Sequence, residues 1–265
     1  MHWAHATSTD LIHWEEQPIA LYPDTNGTMF SGCIVVDEHN TSGFFKDGGG
    51  GLVALVTADG NGQRIQLAYS SDEGQTWTKV DQVAADWSND PLQSKDFRDP
   101  KVFHWNNKWF MVLAGGPLRI YSSDNLSAWS VESTYPDIQT ACPDLYPIQT
   151  DDGTVKWVLS RGGRYYKVGD FKQVDGKWTF CPDQAYQDSD GIMNFGKDSY
   201  AAMTYYVQNF GSEANPTIPK LTELNLMNTW DYCNLVGKTL DQDFNGTYNL
   251  NLQLGLTKEN DRYVL

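Results

Sequence analysis

Two short turns each place an aspartate beside a proline, ahead of a strand-like run. Asp99 lies in FRDPKVFHWNNKWFMVL (97–113), and Asp144 lies in CPDLYPIQTDDGTVKWVLS (142–160). Each run continues with a strand, a tight turn and a Lys-Trp pair that opens another strand. Equivalent turns of a repeated unit can converge, although 45 residues separate these two aspartates (144 − 99). Two converging carboxylates can transfer protons and stabilise developing positive charge, so these turns predict a carboxylate site.

The elements that must position these carboxylates are short strands. No stretch of a dozen residues keeps helical periodicity, whereas β-branched or aromatic runs alternate with turns rich in Asp, Asn and Gly. We therefore expect an all-β chain. The predicted strands are 30–37, 51–58, 63–70, 75–80, 101–105, 108–114, 118–122, 128–133, 145–149, 156–160, 164–168, 177–181, 200–207, 221–226 and 247–256.

Tryptophans recur at a nearly constant spacing. Trp14, Trp77, Trp129, Trp178 and Trp230 lie 63, 52, 49 and 52 residues apart, and STDLIHW, SDEGQTW and SDNLSAW lead to the first three. Units of roughly 50 residues with about four strands are typical of β-propeller blades. The spacing predicts a five-bladed β-propeller whose first blade is incomplete. The alternative is chance, since the chain has 10 Trp.

Composition excludes several classes of protein. A hydrophobic fraction of 40% with 13% aromatic residues can form a core, which argues against disorder. The net charge of −15 argues against binding to nucleic acid or an anionic membrane surface, because both need a basic footprint. The Cys residues show no CxxC spacing and the 5 His are scattered, so we expect no metal site and no cofactor.

Six segments, in order, resemble motifs of glycoside hydrolase family 32, which contains invertases, inulinases and levanases. One of them, DFRDPKVF, carries the family's Arg-Asp-Pro motif intact. Another, TACPDLYPI, is similar to its Glu-Cys-Pro-Asp-Leu motif with the first residue changed. The six segments are HWAHATSTDLIHW (2–14), FSGCIVVD (30–37), DFRDPKVF (96–103), TACPDLYPI (140–148), FGKDSYAAMTY (195–205) and MNTWDYCN (227–234).

The resemblance implies a five-bladed propeller followed by a β-sandwich. We expect residues 1–265 to form a single catalytic-type propeller domain, with 240–265 as closing strands that lead to a sandwich absent from this chain. The apolar start at Met1 and the strand-like end at Leu265 suggest a fragment cut at both ends.

Family members are retaining glycosidases, which need a nucleophilic carboxylate and an acid/base carboxyl about 5 Å apart. By resemblance, the nucleophile belongs to a Trp-Met-Asn-Asp-Pro-Asn motif that would lie upstream of Met1. Asp90 in WSNDPLQ (87–93) looks like this motif but falls between blades, so we do not expect it to be the nucleophile. The acid/base Glu corresponds to Ala141, which cannot exchange a proton. Either the change was engineered to trap a sugar, or the protein is naturally inactive.

The Arg-Asp-Pro motif implies that Asp99 stabilises the transition state by accepting hydrogen bonds from fructosyl hydroxyls. Arg98 would donate to sugar oxygens or hold a neighbouring carboxylate. The alternative is that Arg-Asp-Pro is only a turn.

The remaining predicted substrate-binding residues would line the same pocket. By resemblance, Phe30 and Trp3 form apolar walls and Ser31 offers a hydroxyl, although plain core packing is a rival for both aromatics. Asp144 either orients the acid/base neighbourhood or caps a turn. The other two, Asp198 and Tyr200, match a family position near distal sugar hydroxyls, with core or turn roles as alternatives.

Three functions remain open. The first is a β-fructosidase that hydrolyses levan, inulin or sucrose, impaired in this chain by Ala141 and the missing nucleophile strand. The second is a non-catalytic fructan-binding propeller, and the third is a fructosyltransferase on the same scaffold. The expected partner is a fructan or sucrose-type carbohydrate, and the resemblance favours an extracellular or cell-surface location.

Overall fold

The computed structural model is built almost entirely of β-strands. It describes residues 1–10, 13–46, 48–193, 199–205, 211–214, 226–235 and 244–265. The helices found in these ranges are two single 3₁₀ turns, Trp87–Asn89 and Gln184–Tyr186. No helix there has the length and apolar character needed to cross a membrane.

The chain divides into two compact units, and the first comprises Met1–Ala141 and Gln208–Pro216. Its strands are β1 (Trp3–Thr7), β2 (Glu15–Leu21), β3 (Thr28–Asp37), β4 (Gly51–Gly60), β5 (Gly62–Ser70), β6 (Thr78–Asp86), β7 (Arg98–Trp105), β8 (Lys108–Ala114), β9 (Gly116–Ser123) and β10 (Ser130–Thr140). Strand β1 pairs with β2, and two four-stranded antiparallel sheets follow in chain order, β3–β6 and β7–β10.

The second unit comprises Cys142–Val207 and Thr217–Leu265. Its strands are β11 (Asp144–Gln149), β12 (Val155–Arg161), β13 (Tyr165–Val174), β14 (Lys177–Pro182), β15 (Gly191–Ile192), β16 (Ser199–Thr204), β17 (Leu226–Leu235), β18 (Phe244–Gln253), β19 (Thr257–Glu259) and β20 (Arg262–Val264). Strands β11–β14 form a sheet in chain order with β15 added beside β13, β16–β18 form a second sheet, and β19 pairs with β20. The expectation of one domain over 1–265 stays a prediction.

Hairpin turns form where the sequence supplies residues that tolerate positive φ. Asn106 and Asn107 have φ of 51° and 60° between β7 and β8, and Asp175 and Gly176 have φ of 51° and 77° between β13 and β14. Two central residues with positive φ match the twist of the flanking strands. These two turns, which have the Asn, Asp and Gly content that the sequence pattern predicts, are therefore hairpin turns.

The repeated tryptophan motif closes two equivalent turns. The Trp77 indole donates to the carbonyl of Gly74 at 3.0 Å, and the Trp129 indole donates to the carbonyl of Leu126 at 2.8 Å. Both acceptor residues have positive φ, 89° and 61°. The similarity of SDEGQTW and SDNLSAW thus reflects one turn structure used twice, before β6 and before β10.

Several strand boundaries differ from the prediction. The segment expected at 75–80 begins at Thr78 and runs to Asp86, because residues 71–77 form the tryptophan turn. Strands β1 and β2 were not predicted, because WAHAT and EEQPIAL show little apolar alternation. In the structure most of their residues are exposed. Of the expected strand 221–226, residues 221–225 lie outside the described residues.

Three non-glycine residues near the start of a sheet's first strand adopt left-handed backbone. Asp99 in β7 has φ of 56°, Cys142 just before β11 has 45°, and Ala201 in β16 has 56°. In β7 and β16 the strand register also shifts there, between Arg98 and Lys101 and between Tyr200 and Met203. Bulges of this kind re-aim side chains and often occur beside active sites.

Candidate functional site

The beginning of β3 presents Phe30 and Ser31 on a bulge. The register with β4 shifts between Met29 and Gly32, so Phe30 and Ser31 have no regular partner on β4. Phe30 is half-buried and Ser31 is exposed. The bulge lets one strand offer an apolar ring and a hydroxyl side by side.

Trp3 lies directly against this bulge. Its indole Nε1 donates to the carbonyl oxygen of Phe30 at 2.7 Å. A Cβ placed on Gly32 would lie 2.8 Å from Trp3 Cζ2, so the close approach of the ring depends on glycine. Trp3 also packs on the buried cluster around Met29. The structure therefore brings Trp3, Phe30 and Ser31 together, with Trp3 serving partly as core.

Asp99 is held at the bulge of β7. Its side chain is nearly buried, with 6% of the residue exposed, and its backbone N–H donates to Thr57 Oγ1 at 3.1 Å. Strand β7 packs against β3, which carries Phe30 and Ser31. The first unit thus places the Arg-Asp-Pro motif beside the strand that carries this pair.

The guanidinium of Arg98 is positioned by two neighbours. Its Nη1 donates to Gln63 Oε1 at 3.2 Å and lies 3.1 Å from Asp96 Oδ1. Gln63 Oε1 also accepts from the Phe97 backbone N–H at 2.8 Å. Sequence reasoning missed Gln63 and Thr57, because nothing in their flanking residues distinguishes them from other strand positions.

Ala141 follows the last residue of β10. Arg98 pairs with Ala114 and Thr140 pairs with Gly116, so β7 begins and β10 ends at the same end of their sheet. The Thr140 hydroxyl donates to the Ala141 carbonyl at 2.9 Å. Asp99 and Ala141 therefore lie at the same end of one sheet, at its two opposite edge strands. That they share a site stays a prediction.

Asp144 belongs to the second unit and is fully buried. Its Oδ2 accepts from the Thr204 backbone N–H at 2.6 Å and from the Thr204 hydroxyl at 2.8 Å. This carboxylate joins β11 to β16. Burial, with Asp144 nearby, raises the pKa of Tyr146 well above its usual range.

Tyr200 is exposed and lies near a glycine turn. A Cβ on Gly162 would be 3.6 Å from Tyr200 Cε2, and the Ala201 N–H donates to the Gly162 carbonyl at 2.8 Å. The turn therefore holds the strand that carries Tyr200. Asp198 lies outside the described residues, so its predicted role stays a prediction.

We expect Gly163→Ala to destabilise the protein by about 3 kcal/mol or more. The φ of Gly163 is 60°, a left-handed conformation that is unfavourable for alanine. In addition, its Cβ would lie 1.7 Å from the Ala202 nitrogen, so a steric clash destabilises the fold further. Gly176→Ala is the matched control, since its φ is 77° and nothing lies within 4 Å. It should cost only about 1–2 kcal/mol. Urea unfolding measures both, and equal losses would contradict the close contact.

Asp190 forms ion pairs with two basic residues near the turn at Gly162 and Gly163. Its carboxylate contacts the Arg161 guanidinium and lies 3.1 Å from Lys167 Nζ. Burial acts to raise its pKa, but the bonds from Arg161 and Lys167 outweigh burial and lower the pKa. A carboxyl with a lowered folded pKa stabilises the fold above its unfolded pKa, and that stabilisation is lost as the pH falls through the folded value.

The difference in unfolding free energy between wild type and Asp190→Asn should therefore stay constant from about pH 7 to 5 and shrink below about pH 4. Chemical denaturation at several pH values measures it. Asp188→Asn, at an exposed neighbouring position, is the control that removes one carboxylate without touching Arg161 or Lys167. A difference that is the same at every pH would refute the assignment.

Asp90 forms a buried ion pair with Arg119. Both side chains of the pair Asp90–Arg119 are 0% exposed, with 3.1 Å between Arg119 Nε and Asp90 Oδ1. The Tyr121 hydroxyl also donates to Asp90, and burial raises the pKa of Tyr121 far above its usual range, with Asp90 adding to the shift. Both oxygens of the Asp90 carboxylate are engaged by Arg119 and Tyr121. That Asp90 is not the nucleophile stays a prediction.

Asp90→Ala is expected to lower the unfolding free energy by about 3–5 kcal/mol, because it leaves the Arg119 charge buried without its counterion. Asp124→Ala is the control. Its carboxylate lies 2.6 Å from Lys108 Nζ with 79% of the side chain exposed, so it should cost at most about 1 kcal/mol. Thermal or urea unfolding distinguishes them; similar small losses would show that the buried pair contributes little.

Within the described ranges, no group of three or more His, Cys, Asp or Glu side chains could hold a metal ion. The first unit brings Asp99 and Arg98 on β7 close to β3, which carries Phe30 and Ser31 with Trp3 against them. A nearly buried carboxylate beside an apolar surface can accept hydrogen bonds from hydroxyls and stabilise positive charge.

Comparison with solved structures defines the class of protein. Exo-inulinase from Aspergillus awamori matches with a TM-score of 0.77 and 29% identity over 99% of this chain and 57% of that one. A Glu-to-Ala variant of fructofuranosidase from Schwanniomyces occidentalis, complexed with fructosylnystose, matches with a TM-score of 0.74 and 30% identity over 99% and 52%. The chain is thus an all-β domain of the β-propeller class; five blades remain a prediction.

Sequence comparison gives the family. The family model described as the glycosyl hydrolases family 32 N-terminal domain matches residues 1–264. The chain belongs to glycosyl hydrolase family 32. Fructan β-fructosidase of Streptococcus mutans is 75% identical over 266 residues, covering 100% of this chain and 19% of that protein. The chain therefore spans about a fifth of that relative and just over half of the two solved structures.

Proposed function

We propose that this chain is the fructan-recognising domain of a β-fructosidase that acts on levan, inulin or sucrose by retaining double displacement. The observation that carries the proposal is Asp99, presented on a bulge beside the strand of Phe30 and Ser31, in a chain that matches the family over nearly its whole length. The 75% identity to a fructan β-fructosidase supports the substrate class.

In this proposal Asp99 accepts hydrogen bonds from the hydroxyls of the reacting fructosyl unit. Its negative charge stabilises the oxocarbenium-like transition state. Arg98, fixed by Gln63 and Asp96, donates to sugar oxygens. Trp3 and Phe30 give the ring an apolar wall, and Ser31 contributes a hydroxyl. The resemblance assigns the distal hydroxyls to Tyr200 and Asp198, and within the second unit Asp144 binds Thr204 on the strand that carries Tyr200.

Ala141 stands at the acid/base position in this proposal. The attacking carboxylate belongs to the family's Asn-Asp-Pro-Asn motif, which the resemblance places ahead of residue 1. Alanine at 141 can neither donate a proton to the leaving oxygen nor accept one from the attacking water. We therefore expect binding of fructans with impaired turnover. A location outside the cell or at its surface fits polymeric substrates too large to enter.

The second candidate is a non-catalytic fructan-binding propeller, which Ala141 favours. A Glu-to-Ala variant of a similar fructofuranosidase is complexed with fructosylnystose, so a protein of this fold can hold an oligofructoside. Calorimetric titration of the chain with nystose tests the shared part of both proposals. Saturable binding supports them, and no binding at millimolar nystose contradicts both. Restoring the two carboxylates then separates an enzyme from a binding module.

A further inference from the structure

A second concave surface lies in the first unit, lined by residues of β6 and its following turn and by residues at the start of β10. It encloses about 610 Å³, within the range of about 300–1,000 Å³ typical of small-molecule sites. None of the residues proposed for the candidate site lines it. We call it the outer cleft, and its lining includes Asp86, Asn89, Asp90, Tyr121, Trp129 and Ser130.

The carboxylates of the outer cleft are neutralised by arginines. Asp90 forms the buried pair with Arg119, and Asp86 Oδ2 lies 3.3 Å from Arg64 Nε. The cleft therefore offers little net charge to a ligand. With a chain charge of −15, an anion is disfavoured as well. These observations favour a neutral ligand.

The rim combines a fixed aromatic ring with exposed polar groups. Trp129 is half-buried, and the bond from its indole to the Leu126 carbonyl holds the ring in one orientation. Asn89 and Ser130 are exposed. An amide and a hydroxyl can each donate and accept, as sugar hydroxyls require, while an aromatic face packs against the C–H face of a sugar ring.

The edges beside the cleft are poorly suited to a peptide strand. Strand β6 has a bulge against β5, because Ala85 pairs with Ile65 but Val83 pairs with the next residue of β5. Strand β10 has a bulge against β9 between Val131 and Ser133. Both are the last strands of their sheets. A bulge interrupts the row of backbone groups that an added strand would pair with, so strand addition is disfavoured here.

We propose that the outer cleft is a second carbohydrate-binding site, which holds a neutral polysaccharide segment separately from the candidate site. The choice of fructan as its ligand rests on the proposed function. One polymer that occupies both sites would be held more tightly than an oligomer that fills one of them, because the second contact becomes intramolecular.

Ser130→Trp tests this inference by filling the cleft from an exposed position. Ala128→Trp is the matched control, since Ala128 is exposed two residues away and does not line the cleft. Retention of each variant in gels containing levan measures polymer binding, and calorimetric titration with nystose measures the candidate site. Since bridging two sites typically raises apparent affinity by about 10²–10⁴-fold, we expect Ser130→Trp to weaken levan binding by about tenfold or more.

Nystose binding at the candidate site should be unchanged in Ser130→Trp, and Ala128→Trp should resemble wild type in both measurements. Levan retention that is equal in the two tryptophan variants would overturn the inference, and so would a parallel loss of nystose binding. Ser130→Trp and Ala128→Trp, each combined with Asp99→Asn, separate the outer-cleft proposal from the proposed function. If Asp99→Asn changes nothing, the proposed function fails, while the effect of Ser130→Trp on levan still decides the outer cleft.

Discussion

Replacing Ala141 by glutamate is expected to raise fructose release from levan or inulin by about 10²–10⁴-fold, the usual contribution of general acid–base catalysis. The assay uses a chain that also carries the upstream strand with the family's nucleophile motif. Ala141 is half-buried and directly follows the last residue of β10, and the Thr140 hydroxyl donates a hydrogen bond to its carbonyl. A carboxyl in such a partly desolvated position can keep its proton near neutral pH.

Ala141→Gln in the same chain is the control, because glutamine has the size of glutamate but cannot transfer a proton. Fructose release is followed by chromatography, which also detects chain-lengthened products at high sucrose. If the Glu and Gln variants release fructose equally slowly, the proposal that residue 141 is the acid/base position fails, and the fructan-binding propeller is favoured. Longer products would identify a fructosyltransferase.

Asp99→Asn should weaken binding of nystose by about 10–100-fold. The change removes the negative charge that accepts hydrogen bonds from sugar hydroxyls, and hydrogen bonds to charged groups contribute about 1.5–3 kcal/mol. Asparagine is chosen because it tolerates the φ of 56° at this position and keeps the shape of the side chain. Calorimetric titration measures the affinity.

Asp81→Asn provides the control for overall charge, since Asp81 is exposed on β6. Its affinity for nystose should equal that of wild type, and thermal unfolding of both variants should be unchanged within a few degrees. An Asp99→Asn protein that binds nystose as tightly as wild type would show that Arg-Asp-Pro is only a turn.

The sequence predicted the strand content well, because strand content depends on local patterns. Aromatic and β-branched runs between Asn/Gly turns form hairpins wherever they occur, and Asp-Pro next to such a run sits at a strand start. The strand of Asp99 and the turns at Asn106 and Asp175 were therefore predictable.

The partners that hold these residues were not predictable, because they depend on pairing between distant strands. Gln63 positions Arg98 from 35 residues away, and Thr204 binds Asp144 from 60 residues away. Neither has a local signal in the sequence. The outer cleft was missed for the same reason, since β6 and β10 form it only when both sheets are complete.

The left-handed residues at Asp99, Cys142 and Ala201 restrict how this protein can be diversified. A β-branched or bulky side chain at such a φ costs about 1–2 kcal/mol before any contact is considered. Randomised libraries aimed at altered sugar preference should therefore encode only glycine, asparagine and aspartate at these codons, and place their variety at Ser31 and Tyr200, whose side chains are exposed. Ala201→Gly is the simplest first change, because it relieves the backbone without touching a polar group.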